Sequence, residues 1–60
     1  MSFTGGIVKI GDLVYDRTMS MTGLIINYNE RRVVPFDVYY ENGNIDMATE
    51  WELEVISESR

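Results

Sequence analysis

The chain has 60 residues, enough for one small domain, and a domain of that size buries only about 60% of the surface of its unfolded form. It contains no Cys and no His, so disulfides and Cys/His metal sites cannot stabilise it. Ten acidic residues against five basic ones give a net charge of −5, which counts against nucleic acid or anionic lipid as partners.

The apolar residues favour strands over helices. Hydrophobic residues make up 45% of the sequence, which argues against intrinsic disorder. Val and Ile together number twelve, and four Thr bring the β-branched residues to sixteen. Such side chains lose rotamer freedom in a helix and fit the pleated surface of a sheet. The composition therefore predicts an all-β domain.

We expect one domain with short ends outside it. Residues 1–6 are predicted to be a flexible lead-in, residues 7–57 the folded domain, and residues 58–60 a frayed C-terminus. No segment has the basic and apolar regions of a signal peptide, and no apolar run reaches seven residues. A cytoplasmic protein is therefore expected.

Alternating apolar residues, bounded by turn signals, predict five short strands. The predicted strands span residues 7–15, 22–28, 36–41, 45–49 and 53–56. Gly11-Asp12 is expected to bend the first strand, because glycine within a strand pattern often marks a bulge or a sharp bend. Pro35 stands at the entrance of the third strand, where its missing N–H costs little.

The strongest local signal is Asn42-Gly43, between the third and fourth strands. Both residue types accept the positive φ that a type I′ turn requires, and the twist of that turn matches the flanking strands. The sequence therefore predicts a tight two-residue hairpin at this point.

The stretch from Glu50 to Ile56 alternates polar and apolar residues, and two structures fit it. The whole stretch is one strand, or residues 50–52 form a short helical turn followed by a strand over residues 53–56. The pattern alone does not choose between them.

Five short strands are too few for a two-sheet sandwich, but they can curl into one bent barrel, which removes most exposed edges. The phase of each strand then predicts which side chains fill that barrel. The predicted core is Ile10, Val14, Leu24, Ile26, Phe36, Val38, Tyr40, Leu53 and either Val55 or Ile56.

Four segments resemble, in order, those of small stand-alone SH3-like β-barrel proteins. They are Gly11-Asp12-Leu13-Val14, Gly23-Leu24-Ile25-Ile26, Phe36 to Gly43, and Leu53-Glu54-Val55-Ile56. Such proteins are often encoded by tailed bacteriophages, and most have no assigned activity. The resemblance implies a five-stranded SH3-like barrel with the short helical turn before its last strand, in a phage protein of the host cytoplasm or the virion. It implies a fold rather than an activity, because the matching residues are bend, turn and core positions.

One barrel of this size is an enzyme, the plasmid-borne dihydrofolate reductase, whose tetramer encloses a central pore. That family binds pterin and nicotinamide through a Val-Gln-Ile-Tyr stretch after its hairpin and through lysines at the pore. This chain instead has Ile45-Asp46-Met47-Ala48-Thr49, and its acidic surroundings would repel two anionic ligands. This oligomeric enzyme is one alternative; a nucleic-acid-binding SH3-like module is another, and the acidic balance counts against it too.

Few residues in the chain suit catalysis. Without His or Cys, a nucleophile and its base would have to come from Ser, Thr, Tyr, Lys9 or a buried carboxylate. Glu50, Glu52 and Glu54 could share one face of a strand and hold Ca²⁺, but they lack the loop spacing of such sites, so solvent-facing positions are favoured. We therefore expect no catalytic residues, no metal and no cofactor.

Aromatic residues are more numerous than so small a core can bury. Tyr15 and Tyr39 fall out of phase with the core positions, and Trp51 lies near the last turn. Tyr and Trp are typical interface anchors, and methionines add adaptable apolar surface. The candidate partner-binding residues are Tyr15, Met19, Met21, Tyr39 and Trp51. These side chains either cover the ends of the barrel or form a contact surface.

The sequence thus predicts a non-enzymatic protein-interaction or assembly domain, which binds itself or a host or virion protein through exposed aromatic side chains. Self-association fits, because a core of this size gains stability when its apolar exterior is buried against a second copy. Neither nucleic acid nor a membrane is expected as a partner.

Overall fold

The structure is a computed structural model that describes residues 8–56, in which five antiparallel strands form one sheet. The strands are β1 (Leu13–Asp16), β2 (Met21–Tyr28), β3 (Phe36–Tyr40), β4 (Ile45–Ala48) and β5 (Leu53–Val55). A short 3-10 turn, Glu50–Glu52, precedes β5. The all-β prediction and the helical turn before the last strand are confirmed. The predicted lead-in and frayed C-terminus lie outside the described residues.

The strands are ordered β4-β3-β2-β1-β5 across the sheet, so β4 and β5 stand at its two ends. Each hydrogen-bonded neighbour pair is antiparallel, and the contacts between β2 and β3 are the most extensive. Closure of this sheet into a barrel stays a prediction.

The first strand is shorter than the sequence predicts. Residues 9–12 form a turn, in which the Asp12 carboxylate accepts the Lys9 N–H at 2.9 Å and Gly11 adopts a φ of +97°. The Gly11 N–H donates to the Ile25 carbonyl at 2.8 Å, which fixes this turn against β2. The predicted bend at Gly11-Asp12 is present, but it lies immediately before β1 rather than within a longer strand.

The hairpin between β3 and β4 has three loop residues, not the predicted two. The Gly43 N–H donates to the Tyr40 carbonyl at 2.9 Å, and the Tyr40 N–H donates to the Asn44 carbonyl at 2.8 Å. Gly43 has a φ of +90°, whereas Asn42 has no positive φ. This is the pattern of a three-residue loop with glycine in the left-handed region, so the type I′ prediction is wrong.

The core lies on one face of the sheet, which we call the inner face. Its buried apolar side chains are Val14, Ile25, Phe36, Val38, Tyr40, Ala48 and Leu53, with Val8, Met21 and Val55 packed against them. Of the sequence-predicted core, Val14, Phe36, Val38, Tyr40 and Leu53 are confirmed. Three predicted core residues are instead exposed: Ile10, Leu24 and Ile26; of the two alternatives for the last core position, Val55 packs against the core and Ile56 is exposed.

The wrong assignments in β2 have one cause. The pairing of β2 with β3 shifts between Ile25 and Asn27, so Ile26 occupies a bulge that has no partner of its own on β3. A one-residue shift exchanges the two faces of a strand. Ile25 therefore enters the core and Leu24 turns outward, while Tyr28, beyond the bulge, stacks on Phe36 with ring centroids 4.9 Å apart. Ile10 and Ile56 lie outside the strands, so the alternation of side chains along a strand does not direct them into the core.

Within residues 8–56, no helix has the length and hydrophobicity needed to cross a membrane.

Candidate protein-interaction surface

The second face of the sheet, which we call the outer face, carries large apolar side chains that are exposed to solvent. Its members follow from the strand pairings and from the alternation of side chains along each strand. They are Leu13, Tyr15, Thr22, Leu24, Asn27, Asp37, Tyr39, Ile45, Met47 and Glu54, together with Ile56 just after β5. Five large apolar side chains of this face are 39–60% exposed within the strands: Leu13, Leu24, Tyr39, Ile45 and Met47.

Five of these side chains form a line across the whole sheet, which we call the apolar row. The row consists of Ile56, Leu13, Leu24, Tyr39 and Ile45. Leu13 pairs with Leu24, Leu24 with Tyr39, and Tyr39 with Ile45, while the Ile56 N–H donates to the Leu13 carbonyl at 2.9 Å. Directly paired side chains on one face lie about 4.5–5.5 Å apart at Cβ, so the row is continuous. Its members are 39–60% exposed, and large contiguous apolar patches of this kind mark interaction sites.

Polar groups flank the apolar row on both sides, and the two sides differ in charge. On one side, which we call the acidic margin, lie Glu41 and Glu54; Thr22 Oγ1 donates to Glu41 Oε1 at 3.2 Å. The Arg17 guanidinium lies 3.8 Å from the Glu54 carboxylate, and both side chains are more than half exposed, so this ion pair is weak. The acidic margin keeps a net negative charge.

On the opposite side of the row, which we call the neutral margin, a carboxylate is matched by a cation. Arg32 Nη2 donates to Asp37 Oδ1 at 2.9 Å, and Asn27 Nδ2 donates to Asp37 Oδ2 at 3.2 Å. The hydrogen bond from Arg32 and then the one from Asn27 hold the pKa of Asp37 below its ordinary value, so the carboxylate is ionised and paired. This side of the outer face is therefore close to neutral.

The two strands at the ends of the sheet are protected against pairing with another strand. Asp46 lies in β4 opposite Val38, so its exposed carboxylate belongs to the inner side of an end strand, and its Oδ1 accepts the Met47 N–H at 2.8 Å. β5 has only three residues, and Glu54 stands in its middle. A charged side chain on the inner side, as at Asp46, and the short length of β5 both disfavour pairing with the edge of another sheet. The Met47 N–H is also already bonded to a side chain. The outer face is thus the more accessible contact surface.

A second exposed patch, which we call the tryptophan patch, lies where the loop after β1 meets the 3-10 turn. The Arg17 N–H donates to the Glu52 carbonyl at 3.0 Å, Arg17 Nη1 donates to the Trp51 carbonyl at 2.9 Å, and Thr18 Oγ1 donates to Glu52 Oε2 at 3.2 Å. Trp51 is 76% exposed on this turn, and Met19 is exposed on the loop.

Asp16 holds this loop in place from inside the protein. The side chain is buried; its Oδ1 accepts the N–H groups of Thr18 and Met19 at 2.9 and 3.1 Å, and its Oδ2 accepts the hydroxyl of Tyr40. Burial, with the hydrogen bond and charge of Asp16, raises the pKa of the Tyr40 phenol, which stays neutral and acts as a donor. The enclosed carboxylate thereby fixes the conformation of the loop that follows β1.

The structure places the five sequence-predicted contact residues in three locations. Tyr39 lies in the apolar row between Leu24 and Ile45, and Tyr15, which is half-buried, lies on the same face. Met19 and Trp51 belong to the tryptophan patch. Met21 is half-buried and packs against the core. The contact roles of these residues stay predictions, and the structure brings Tyr15 and Tyr39 to the same face.

Sequence reasoning missed the aliphatic members of the apolar row. The sequence assigns Leu24 to the core, offers Ile56 as one of two alternatives there, and gives Leu13 and Ile45 no role. The signal that could have found them is Tyr39, which is predicted to point outward. Residues paired with it on the neighbouring strands must point to the same face. Its neighbours Leu24 and Ile45 follow once the register is known.

The carboxylates of Glu52 and Glu54 contact other groups of the same chain. Glu52 Oε1 accepts the Thr49 N–H at 3.0 Å, and Glu54 faces Arg17. Within the part of the chain that the structure describes, no group of three or more acidic side chains is placed to hold a metal ion.

Comparisons with protein-family models, with curated proteins and with solved structures gave no match to this chain.

Proposed function

We propose that this protein is a non-enzymatic protein-binding or assembly domain, whose contact surface is the outer face of its sheet. The observation that carries the proposal is the apolar row, in which five adjacent side chains cross the sheet while each keeps 39–60% of its surface exposed. Burying such side chains against a partner removes apolar surface from water, which is the main driving force of association.

The make-up of this surface suits binding to a protein. Tyr39 belongs to the row, between Leu24 and Ile45, and tyrosine is enriched among the residues that contribute most to binding. Apolar residues surrounded by polar groups, here the acidic and neutral margins, are the usual anatomy of a protein interface. The protected end strands leave the face, rather than an edge, as the route of contact.

The polar side chains also favour contact over catalysis. The chain contains no His or Cys, and the one buried carboxylate among residues 8–56, Asp16, is engaged by Tyr40, Thr18 and Met19. The resemblance to SH3-like barrels of bacteriophages supports an assembly role or the capture of a host protein, in the host cytoplasm or in a virion.

The proposal is tested by immobilising the wild-type chain, Tyr39→Ser and Trp51→Ser. Each is exposed separately to purified wild-type chain and to a lysate of cells that express it. We expect the wild type to retain a discrete protein in at least one of the two, and Tyr39→Ser to lose it. Trp51→Ser separates the two surfaces, because it removes an aromatic ring of the tryptophan patch and leaves the outer face intact. The proposal fails if nothing is retained, or if Tyr39→Ser retains as much as the wild type while its circular dichroism is unchanged.

A further inference from the structure

The described chain exposes more large hydrophobic side chains than it buries. Among residues 8–56, seven apolar side chains form the buried core, whereas twelve large ones are 39% exposed or more. The hydrophobic core of a 60-residue domain is small and contributes little stability, and small domains often gain stability by oligomerising. An apolar face that is always exposed needs a partner that is always present, and a second copy of the chain meets that requirement.

We propose that the outer face binds the outer face of a second copy, giving a two-fold symmetric dimer of stacked sheets. This inference rests on the proposed function and names its partner. In such an interface the same residues serve both copies, and sheets that stack in this way lie about 10 Å apart with their strands nearly aligned. The apolar row of each copy then covers that of the other.

A dimer of standard size would bury a moderate part of the surface of each copy. The chain presents 4087 Å² of accessible surface. A stable interface of standard size takes roughly 800 Å² from each partner, which is about a fifth of that surface. Met47, 52% exposed beside the row, extends the apolar area on the neutral margin.

The charges of the two margins favour one orientation of the two-fold axis over the other. If the two-fold axis ran along the strands, Glu41 and Glu54 of one copy would face the same carboxylates of the other. If it runs along the apolar row, the acidic margin of each copy lies over the neutral margin of its partner, where Asp37 is already matched by Arg32. The second arrangement avoids like-charge contact, so we assign the axis to the row. Each row residue then faces its own counterpart.

The first test is the molar mass in solution of wild type, Leu24→Lys and Val33→Lys, by sedimentation equilibrium from about 1 μM to 1 mM. Val33 is 91% exposed on the loop before β3, so Val33→Lys makes the same chemical change away from the outer face. We expect wild type and Val33→Lys to pass reversibly from 6.9 kDa to twice that mass, and Leu24→Lys to dimerise at least ~10-fold more weakly. Should Leu24→Lys fail to fold, Ile45→Lys, at a 60% exposed position, replaces it.

The second test concerns the axis and uses the absence of Cys from the chain. Single variants Ile45→Cys and Val33→Cys are treated with a bismaleimide that spans about 10 Å, the spacing of stacked sheets. An axis along the row joins two Ile45→Cys chains and leaves Val33→Cys chains single. An axis along the strands would separate the two Ile45→Cys thiols, so an absence of cross-linked dimer in a preparation that sediments as a dimer overturns the assigned axis.

The two proposals can fail separately. A wild-type chain that stays at 6.9 kDa up to about 1 mM, or equal weakening by Leu24→Lys and Val33→Lys, overturns the dimer. If the monomeric chain still captures a different protein, and Tyr39→Ser loses it, the proposed function stands with another partner. If neither self-association nor capture depends on the outer face, both proposals are wrong.

Discussion

Tyr40 brings its hydroxyl into the buried part of the domain. Its ring packs among the buried side chains of the inner face, and its hydroxyl reaches the buried carboxylate of Asp16. Because Asp16 also accepts the N–H groups of Thr18 and Met19, a single buried contact links the end of β3 to the loop that carries Met19. Buried polar groups of this kind are costly when they lose a partner.

Tyr40→Phe tests this link. The change keeps the ring and leaves the buried carboxylate without one of its donors, so we expect the free energy of unfolding to fall by about 1–3 kcal/mol. Tyr39→Phe is the control, since that ring is 47% exposed on the outer face, and its effect should stay within about 0.5 kcal/mol. Urea unfolding followed by circular dichroism measures both. Equal effects of the two changes would show that the hydroxyl of Tyr40 contributes nothing to the fold.

The same hydroxyl should make the fold sensitive to alkali. The ordinary pKa of a tyrosine is 10.0, and burial with the contact to Asp16 raises that of Tyr40 in the folded chain. The unfolded chain therefore loses this proton first, so the stabilisation is intact below pH 10 and declines as the pH rises from there toward the folded pKa. We expect the unfolding midpoint in urea to fall between about pH 10 and pH 12 in wild type and Tyr39→Phe, and to fall less in Tyr40→Phe. An identical decline in all three would assign the alkaline loss to other groups.

At the scale of the strands, β2 and β3 approach so closely that one position has no room for a side chain. A Cβ at Gly23 would lie 2.5 Å from Val38 Cγ1 and 3.1 Å from both the Tyr39 carbonyl oxygen and Tyr40 Cδ1. Gly23 pairs with Val14 on one side and Tyr40 on the other, both of them core residues. The glycine therefore lets the larger core side chains meet across β2.

Gly23→Ala should consequently destabilise the protein by about 1–3 kcal/mol, the usual cost of overpacking a core. Because Val38 Cγ1 is the nearest obstacle, the double variant with Val38→Ala should cost less than the sum of the two single changes. Unfolding in urea of the two single variants and the double variant gives this difference. Additive costs would mean that the backbone of β3, and not the Val38 side chain, opposes the new methyl group.

The strands themselves were predictable because polar and apolar residues alternate clearly along them. Which residues of β2 face the core was not predictable. In β3 the polar Asp37 and the tyrosine at 39 alternate with Phe36, Val38 and Tyr40, so the inner face is unambiguous. In β2 the run Leu24-Ile25-Ile26 offers apolar residues to both faces, and the bulge at Ile26 decides between them. A bulge of this kind depends on the pairing with β3, which is not encoded in the local pattern.

The candidate surface was predictable only in part, for a related reason. Tyr39 was expected to point outward, and it does. A two-residue hairpin would have paired Tyr39 with Asp46, whereas the three-residue loop pairs it with Ile45. That shift of one residue moves Ile45 to the outer face and Asp46 to the inner side of β4, and so completes the apolar row.

Across the whole molecule, charge is distributed around the proposed interface rather than within it. The apolar row contains no ionisable group besides the phenol of Tyr39, and the carboxylates nearest to it stand in the two margins. The entire chain nevertheless carries a net charge of −5, so two approaching copies repel each other over distances longer than the contacts of the interface. Burial of the row has to overcome this repulsion.

The sign of the salt dependence therefore separates a dimer held by the apolar row from one held by contacts between opposite charges. The repulsion between two acidic chains is screened by salt, since the Debye length falls from about 30 Å at 0.01 M to about 3 Å at 1 M. We expect the dissociation constant of the dimer to decrease as NaCl is raised from about 20 mM to about 500 mM. Val33→Lys, which reduces the net charge away from the outer face, should dimerise more tightly than wild type at low salt and equally at high salt. Sedimentation equilibrium at both salt concentrations measures these constants. An association that weakens with salt would instead require opposite charges to meet, and would point to contacts between the acidic carboxylates and the few cations of the chain rather than to the apolar row.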